Sequence, residues 1–245
     1  MKKAIRLKAY QQTANYRKPS SLVLRESYPL PPYSTIIGMV HTACDFKEYH
    51  PMQISVAGRY YSSVSDAFTK YEFGNKKFDV TRHQISIDVE DTQFGINRGL
   101  GYIQLLIDVE LLIHIVPDNE EDFEKIQEKL LYPEIYLSMG RHEDLLRIDS
   151  VDIVELEEIV LEDNIFTEYD FFVPVPIYNY LDDRLQNKAS RYQVNKVFTI
   201  EEQTGFRRWT ERVNCVHFAK GKRINKRKSI LADKSYENIV PVFLA

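Results

Sequence analysis

The chain has 245 residues, room for one large domain or two small ones, and 44% of them are hydrophobic, enough for an ordinary core. A net charge of −4 goes with only two cysteines, Cys44 and Cys215, which show neither metal-ligand spacing nor a disulfide framework. No apolar run approaches the ~20 residues of a membrane span, and the N-terminal ten residues lack the apolar centre of a signal peptide, so a cytoplasmic protein with no membrane partner is expected.

The small net charge hides a strong polarity along the chain. Residues 118–170 hold 18 acidic and 4 basic side chains, and residues 184–228 hold 13 basic and 3 acidic. Residues 1–33 hold 7 basic and one acidic. Polyanion binding depends on the local patch, so an acidic total is compatible with a nucleic-acid partner. Basic and acidic regions that merely face each other or water are the plainer alternative.

Taken in order, residues 3–11 alternate Ile5, Leu7 and Ala9 with charged neighbours, the pattern of a first strand. Residues 12–20 form a polar loop, and Leu22–Leu24 suggest a short extended piece ending at Arg25. Pro29, Pro31 and Pro32 then stiffen an entry into a helix, with Ser34 at the N-cap position and Ile36, Ile37, Val40, Ala43 and Cys44 on its apolar face. The free first-turn amides of such a helix can hold a phosphate, and an ordinary capped helix on a sheet has the same signature. The helix is expected to run to about Phe46, followed by a strand over 53–64.

Residues 65–101 mix Phe68, Tyr71, Phe73 and Phe78 with Lys70, Lys76, Lys77, Arg82 and His83, and Gly74-Asn75 marks a turn. A projecting hairpin is expected here, able to stack on single-stranded nucleic acid or simply packed on its own domain. Residues 102–116 are the most apolar run and predict a central strand, with His114 as a core residue. Asn119 is placed to cap an acidic-first helix whose apolar face is Phe123, Ile126, Leu130 and Leu131. A turn at Gly140 carries Arg141 and His142, and residues 148–161 suggest a strand pair. Strand, helix, strands, helix and strand make an open βαββαβ sandwich. From 163 the chain turns apolar and proline-broken, then basic and aromatic through Tyr192, Phe198, Phe206, Trp209 and Phe218, before a closing strand from Glu237.

Phosphate-loop, zinc-protease, zinc-knuckle and nucleophile-elbow motifs are missing from the sequence. His41 with Tyr33, or His142 with Arg141, are the pairs that could serve metal-independent RNA cleavage. Glu143 and Asp144 beside Arg141 read as ion-pair partners rather than a metal site.

The run from Glu26 through Ala43 resembles the first-helix signature of CRISPR-associated protein 5. The run from Tyr136 through Asp149 resembles a second signature of that family, in its type I-B branch. The resemblance covers the N-terminal ~160 residues, with the basic C-terminal part alike in length and character only. It implies an α+β chain: a ferredoxin-like (RRM/RAMP) domain over 1–162 with a hairpin thumb at about 65–101, and a smaller β-rich, basic and aromatic subdomain over 163–245. It implies a non-catalytic subunit of a Cascade surveillance complex, without cofactor or metal. Such a subunit holds the 5′ handle of the CRISPR RNA, caps the backbone filament, and meets the large subunit and, through the complex, target DNA. A type I-C branch of the family instead cuts the precursor RNA with Tyr, Lys and His side chains. The candidate RNA-binding set is Arg17, Lys18, Arg25, Tyr28, Ser34, Thr35, His41, Arg82, His83, Gly140, Arg141 and His142.

Overall fold

A computed structural model describes residues 2–181, 189–235 and 239–245. The elements in order are β1 (Lys2–Ala14), α1 (Tyr33–Cys44), β2 (Met52–Lys77), β3 (Ile85–Val89), β4 (Thr92–Pro117), α2 (Asp122–Leu131) and β5 (Arg147–Val160). Then come β6 (Ile165–Phe166), β7 (Asp170–Pro174), α3 (Val175–Leu181), β8 (Arg191–Ile200), β9 (Arg207–Phe218), β10 (Arg223–Ile224), β11 (Ser229–Asp233) and β12 (Val240–Pro241). The protein is mostly β, built on a curled antiparallel sheet in the order β12-β11-β5-β1-β4-β2-β7-β9-β8, with β3 paired to β4 at its far end.

The apolar run over 102–116 is the inner part of β4, which pairs with β1 on one side and β2 on the other. Val109, Leu111, Ile113 and Ile115 enter the core shared with α1 and α2. Leu112 on the opposite face joins Phe171, Val173, Val216 and Phe243 from the C-terminal segments. From Leu111 to Pro117 the strand is buried on both faces and loses the alternation of a half-exposed one, which explains its continuous hydrophobicity there. His114 is a core residue: its Nε2 lies 3.0 Å from the Asp233 carboxylate, which also takes Arg6 at 3.2 Å. The residues after 162 therefore extend both edges of one sheet, β7 pairing with β2 and β11 with β5.

Several local expectations need correction. Ser34 is not the N-cap: α1 begins at Tyr33 with Pro32 at the cap position and no side-chain cap. Proline fixes the entry φ, and its carbonyl accepts from the Thr35 N–H at 2.9 Å and the Ile36 N–H at 3.3 Å, so the helix starts without a hydroxyl acceptor. Asn119 is likewise not the cap of α2, which is Glu121; the Asn119 side chain instead accepts from the Glu121 N–H at 3.2 Å, one turn earlier. Leu131 is exposed rather than on the buried face of α2. Leu22, Val23 and Leu24 form an exposed bend in a small loop closed by Lys18 and Glu26, not an extended piece.

The turn expected at Gly74-Asn75 is absent: β2 runs through it to Lys77, the ladder with β4 absorbing an irregularity after Phe73. The chain reverses instead after Asp79, whose carboxylate accepts from the Thr81 N–H at 2.8 Å and whose carbonyl accepts from Arg82 and His83. The expected pair over 148–161 is the single strand β5, because it is paired with β1 through one register shift and then with β11 and contains no Gly, Pro or Asn to reverse it. The closing strand is short, Val240–Pro241, and residues 237 and 238 of that expectation lie outside the described residues.

Candidate nucleic-acid interface

A cleft of about 780 Å³ opens where the end of β1, the start of α1, the Gly140 turn and the β8–β9 hairpin meet. It is built from a buried polar knot. Gln11 Nε2 donates to the carbonyls of Met139 at 2.9 Å and Asp144 at 2.7 Å, and the buried Tyr16 hydroxyl donates to Gln11 Oε1 at 2.6 Å. Asn15 Nδ2 donates to the carbonyls of Arg25 and Gln104, tying the 17–27 loop to β4. The Asp144 carboxylate, fully buried, accepts from the N–H groups of Asn15 and Arg141, both at 2.9 Å, and from Arg141 Nη2 at 2.6 Å. A buried carboxylate needs such donors, and here they lock the turn against β1.

Gly140 is required at this knot. Its φ is +104°, and a Cβ there would lie 2.7 Å from the Asn15 carbonyl oxygen and 2.9 Å from Asp144 Oδ2. No L-residue fits both the conformation and the space. Arg141 lines the cleft, but its guanidinium is held by Asp144 and, at 2.9 Å, by Glu143. The two carboxylates are thus ion-pair partners. His142 is exposed at the tip beside it.

Eight of the twelve candidate residues meet here: Arg17, Arg25, Tyr28, Ser34, Thr35, Gly140, Arg141 and His142. Arg25 sits at φ +43° with its guanidinium 4.4 Å from the Phe68 ring centroid, at the root of the β2–β4 hairpin. Tyr28 is mostly buried and packs edge-on against Tyr192 at 5.5 Å, so it supports the cleft wall more than it faces the cleft. The other four lie elsewhere. Lys18 turns to Glu26 at 3.5 Å and to the Tyr192 ring. His41 faces the far end of α1, among Phe46, Tyr49 and His50, where burial holds its imidazole below its ordinary value. Arg82 is exposed at the hairpin tip, 3.7 Å from Asp79. The His83 ring lies over Gly95, where a Cβ would come within 2.1 Å of it, and its Nδ1 accepts from the Asp79 N–H.

Tyr33 and His41 lie far apart along α1. Tyr33 is fully buried with its hydroxyl unpaired among the described residues, and eight residues along a helix is about 12 Å.

Sequence reasoning missed one whole wall. Asn195, Phe198, Arg207 and Trp209 of the β8–β9 hairpin line the cleft, as do Tyr136, Gly38 and Thr42. The signal was present in the aromatic residues interleaved with the basic run, but it did not say which face of the sheet they reach. Arg17, Arg25, Arg141 and Arg207 line the cleft, and among the described residues no Asp or Glu lines it. The guanidinium groups of Arg17, Arg25 and Arg207, partly exposed aromatic faces and the first amides of a helix with no side-chain cap suit a strand with a phosphate backbone and unpaired bases.

The family comparison agrees with this chemistry. The family model described as CRISPR-associated protein (Cas_Cas5) matches residues 4–213. The chain belongs to the CRISPR-associated protein 5 family. Among solved structures, a chain of a "CRISPR RNA-guided surveillance complex" shares its fold, with a TM-score of 0.52 at 12% identity over 92% of this chain and 91% of that one. A CRISPR protein from Archaeoglobus fulgidus aligns over 99% of this chain and 100% of its own, at 10% identity and a TM-score of 0.48. No curated protein matches the chain. Membership of the CRISPR-associated protein 5 family gives the arginine-lined cleft a context, and the residues that form it fall within the matched span.

Proposed function

We propose that this CRISPR-associated protein 5 homologue is a non-catalytic, CRISPR RNA-binding subunit of a type I effector complex, which holds the 5′ handle of the guide in the cleft described above. The observation that carries this is the cleft itself: among the described residues its lining has four arginines, of which Arg141 is held by Asp144 and Glu143, and no carboxylate, in a chain whose total charge is negative. Charge of that sign concentrated in one concavity is what a single-stranded polyanion requires. The core over 1–162 is read as ferredoxin-like, because β1-α1-β2-β4-α2-β5 with strand order β5-β1-β4-β2 is the split βαβ arrangement. The β2–β4 hairpin over about 65–101 then acts as a thumb on the emerging guide, and 163–245 supplies the second wall. The two sequence signatures support a type I-B assembly with a filament subunit, a large subunit and target DNA as partners, and the two cysteines without a disulfide framework support the cytoplasm as its compartment.

The non-catalytic reading draws support from the separation of Tyr33 and His41 and from the carboxylates that occupy Arg141. The test is binding and cleavage measured together. The protein, alone or in its reconstituted complex, is incubated with repeat RNA and with a scrambled RNA of equal length, without metal. The expected result is preferential binding of the handle-bearing RNA, steeply weakened by salt, with no cleavage at enzyme excess. Equal binding of both RNAs would sink the handle reading, and metal-independent cutting would convert the protein to the endoribonuclease class.

A further inference from the structure

The wall that sequence reasoning missed carries a more specific assignment, which rests on the RNA-binding reading. We infer that the β8–β9 hairpin forms an aromatic jaw, Phe198 and Trp209 with Arg207, that grips one unpaired nucleobase of the bound RNA by stacking.

Phe198 and Trp209 are directly opposite in the β8–β9 ladder, so their side chains emerge on one face. Their rings meet edge to face, with centroids 5.5 Å apart. The Arg207 guanidinium lies 4.6 Å from the Phe198 centroid. Register irregularities on both sides of Val197 interrupt the ladder immediately before Phe198, the kind of local twist that re-aims a side chain. All three side chains line the cleft, and neither ring is fully buried. A partly exposed aromatic pair beside an arginine offers a π face and a phosphate partner at once.

The jaw is rigidly mounted. Lower on β8, Tyr192 packs edge-on against Tyr28 at 5.5 Å and Phe172 at 6.0 Å, and Phe172 contacts Tyr33 of α1 at 6.4 Å. This aromatic chain fixes the hairpin to the helix whose start forms the other part of the cleft. Gly38 on that helix supplies clearance. It is exposed to the cleft, and a Cβ built there meets nothing within 4 Å. A helix-interior glycine is costly relative to alanine, and packing among the described residues does not call for one here. A cleft occupant that approaches the helix backbone does.

Trp209 is the single tryptophan of the chain, so its emission reports on this jaw alone. The full-length protein is titrated with a short single-stranded RNA carrying the handle sequence of its cognate repeat, following tryptophan emission and, separately, binding by anisotropy. Emission should quench in step with binding. An abasic scan of the RNA should find one nucleotide whose base is needed for the quench, and its loss should weaken binding about 5- to 150-fold. Phe198→Ala should cost a similar factor, whereas Trp209→Phe, which keeps a stacking face, should retain most of the affinity. The abasic arm leaves the protein unaltered, so a misfolded variant cannot mimic the result. RNA that binds with unchanged emission and with no sensitive abasic position overturns the jaw while leaving RNA binding intact. RNA that does not bind the wild-type protein at all, alone or in its complex, overturns both.

Discussion

Asp144→Ala is the most informative single change in the fold. The carboxylate is buried with no exposed side-chain surface, and it accepts from the Asn15 and Arg141 N–H groups and from the Arg141 guanidinium. Removing it leaves a buried backbone donor at Asn15 and a cation whose remaining ion pair among the described residues is with Glu143. Breaking a buried ion pair from one side costs about 3–5 kcal/mol, and the quarter-exposed Arg141 side chain, which can turn to water, places this case near the low end. A loss of about 3 kcal/mol lowers the melting temperature of a chain this size by about 6–12 °C. Thermal unfolding by circular dichroism measures it, and hydrogen exchange locates it: the 138–145 turn should lose protection first. Arg141→Ala and Asp144→Ala should be strongly non-additive, coupled by about 1 kcal/mol or more. An Asp144→Ala protein that melts within about 2 °C of wild type would refute the claim that this knot holds the turn in place.

Three further outcomes are expected. Gly38→Ala should stabilise the fold by up to about 1 kcal/mol, since it removes a helix glycine into open space, yet weaken RNA binding; a rise in melting temperature with unchanged affinity would contradict cleft occupancy at the helix backbone. Replacing Arg17, Arg25 or Arg207 by Gln should each flatten the dependence of log affinity on log salt by about 0.7 for every phosphate that is no longer neutralised, read from binding isotherms at several salt concentrations. Stability should fall in two stages on acidification. Burial holds the His114 imidazole below its ordinary value, so the stability of keeping it neutral is present above about pH 6.5 and lost as pH falls. Burial pushes the Asp233 carboxyl up, but hydrogen bonds from His114 and Ser235 outweigh it and hold the carboxyl well below the usual range, so its contribution is lost only below about pH 4. Unfolding midpoints of His114→Gln against wild type should then differ less at pH 5 than at pH 7, with His41 adding a slope of the same sign in both.

The elements that announce themselves by period were legible. The two-sided burial of β4 and the apolar stripe of α1 each impose a pattern that survives in the bare sequence. Gly140 and Arg141 were legible because a glycine turn beside a charged cluster is unusual. What failed were details decided by distant partners. Proline rather than serine starts α1, and Asp79 rather than Gly74 reverses the hairpin, because those choices depend on which backbone groups the rest of the fold already satisfies. Lys18 and Arg17 are sequence neighbours, yet one turns to Glu26 and the other to the cleft. The jaw was hidden for the same reason: Phe198 and Trp209 become neighbours only through the β8–β9 register, and they reach the cleft only through the Tyr28–Tyr192–Phe172 contacts.

On the proposed function, guide RNA lies in the arginine-lined cleft between α1, the Gly140 turn and β8–β9. Photo-crosslinking with 4-thiouridine placed along the handle, followed by peptide mapping, tests it directly. Crosslinks should fall on peptides spanning 17–42, 136–142 and 198–209. Crosslinks confined to α2 and the outer face of β5, with those three peptides untouched, would contradict it.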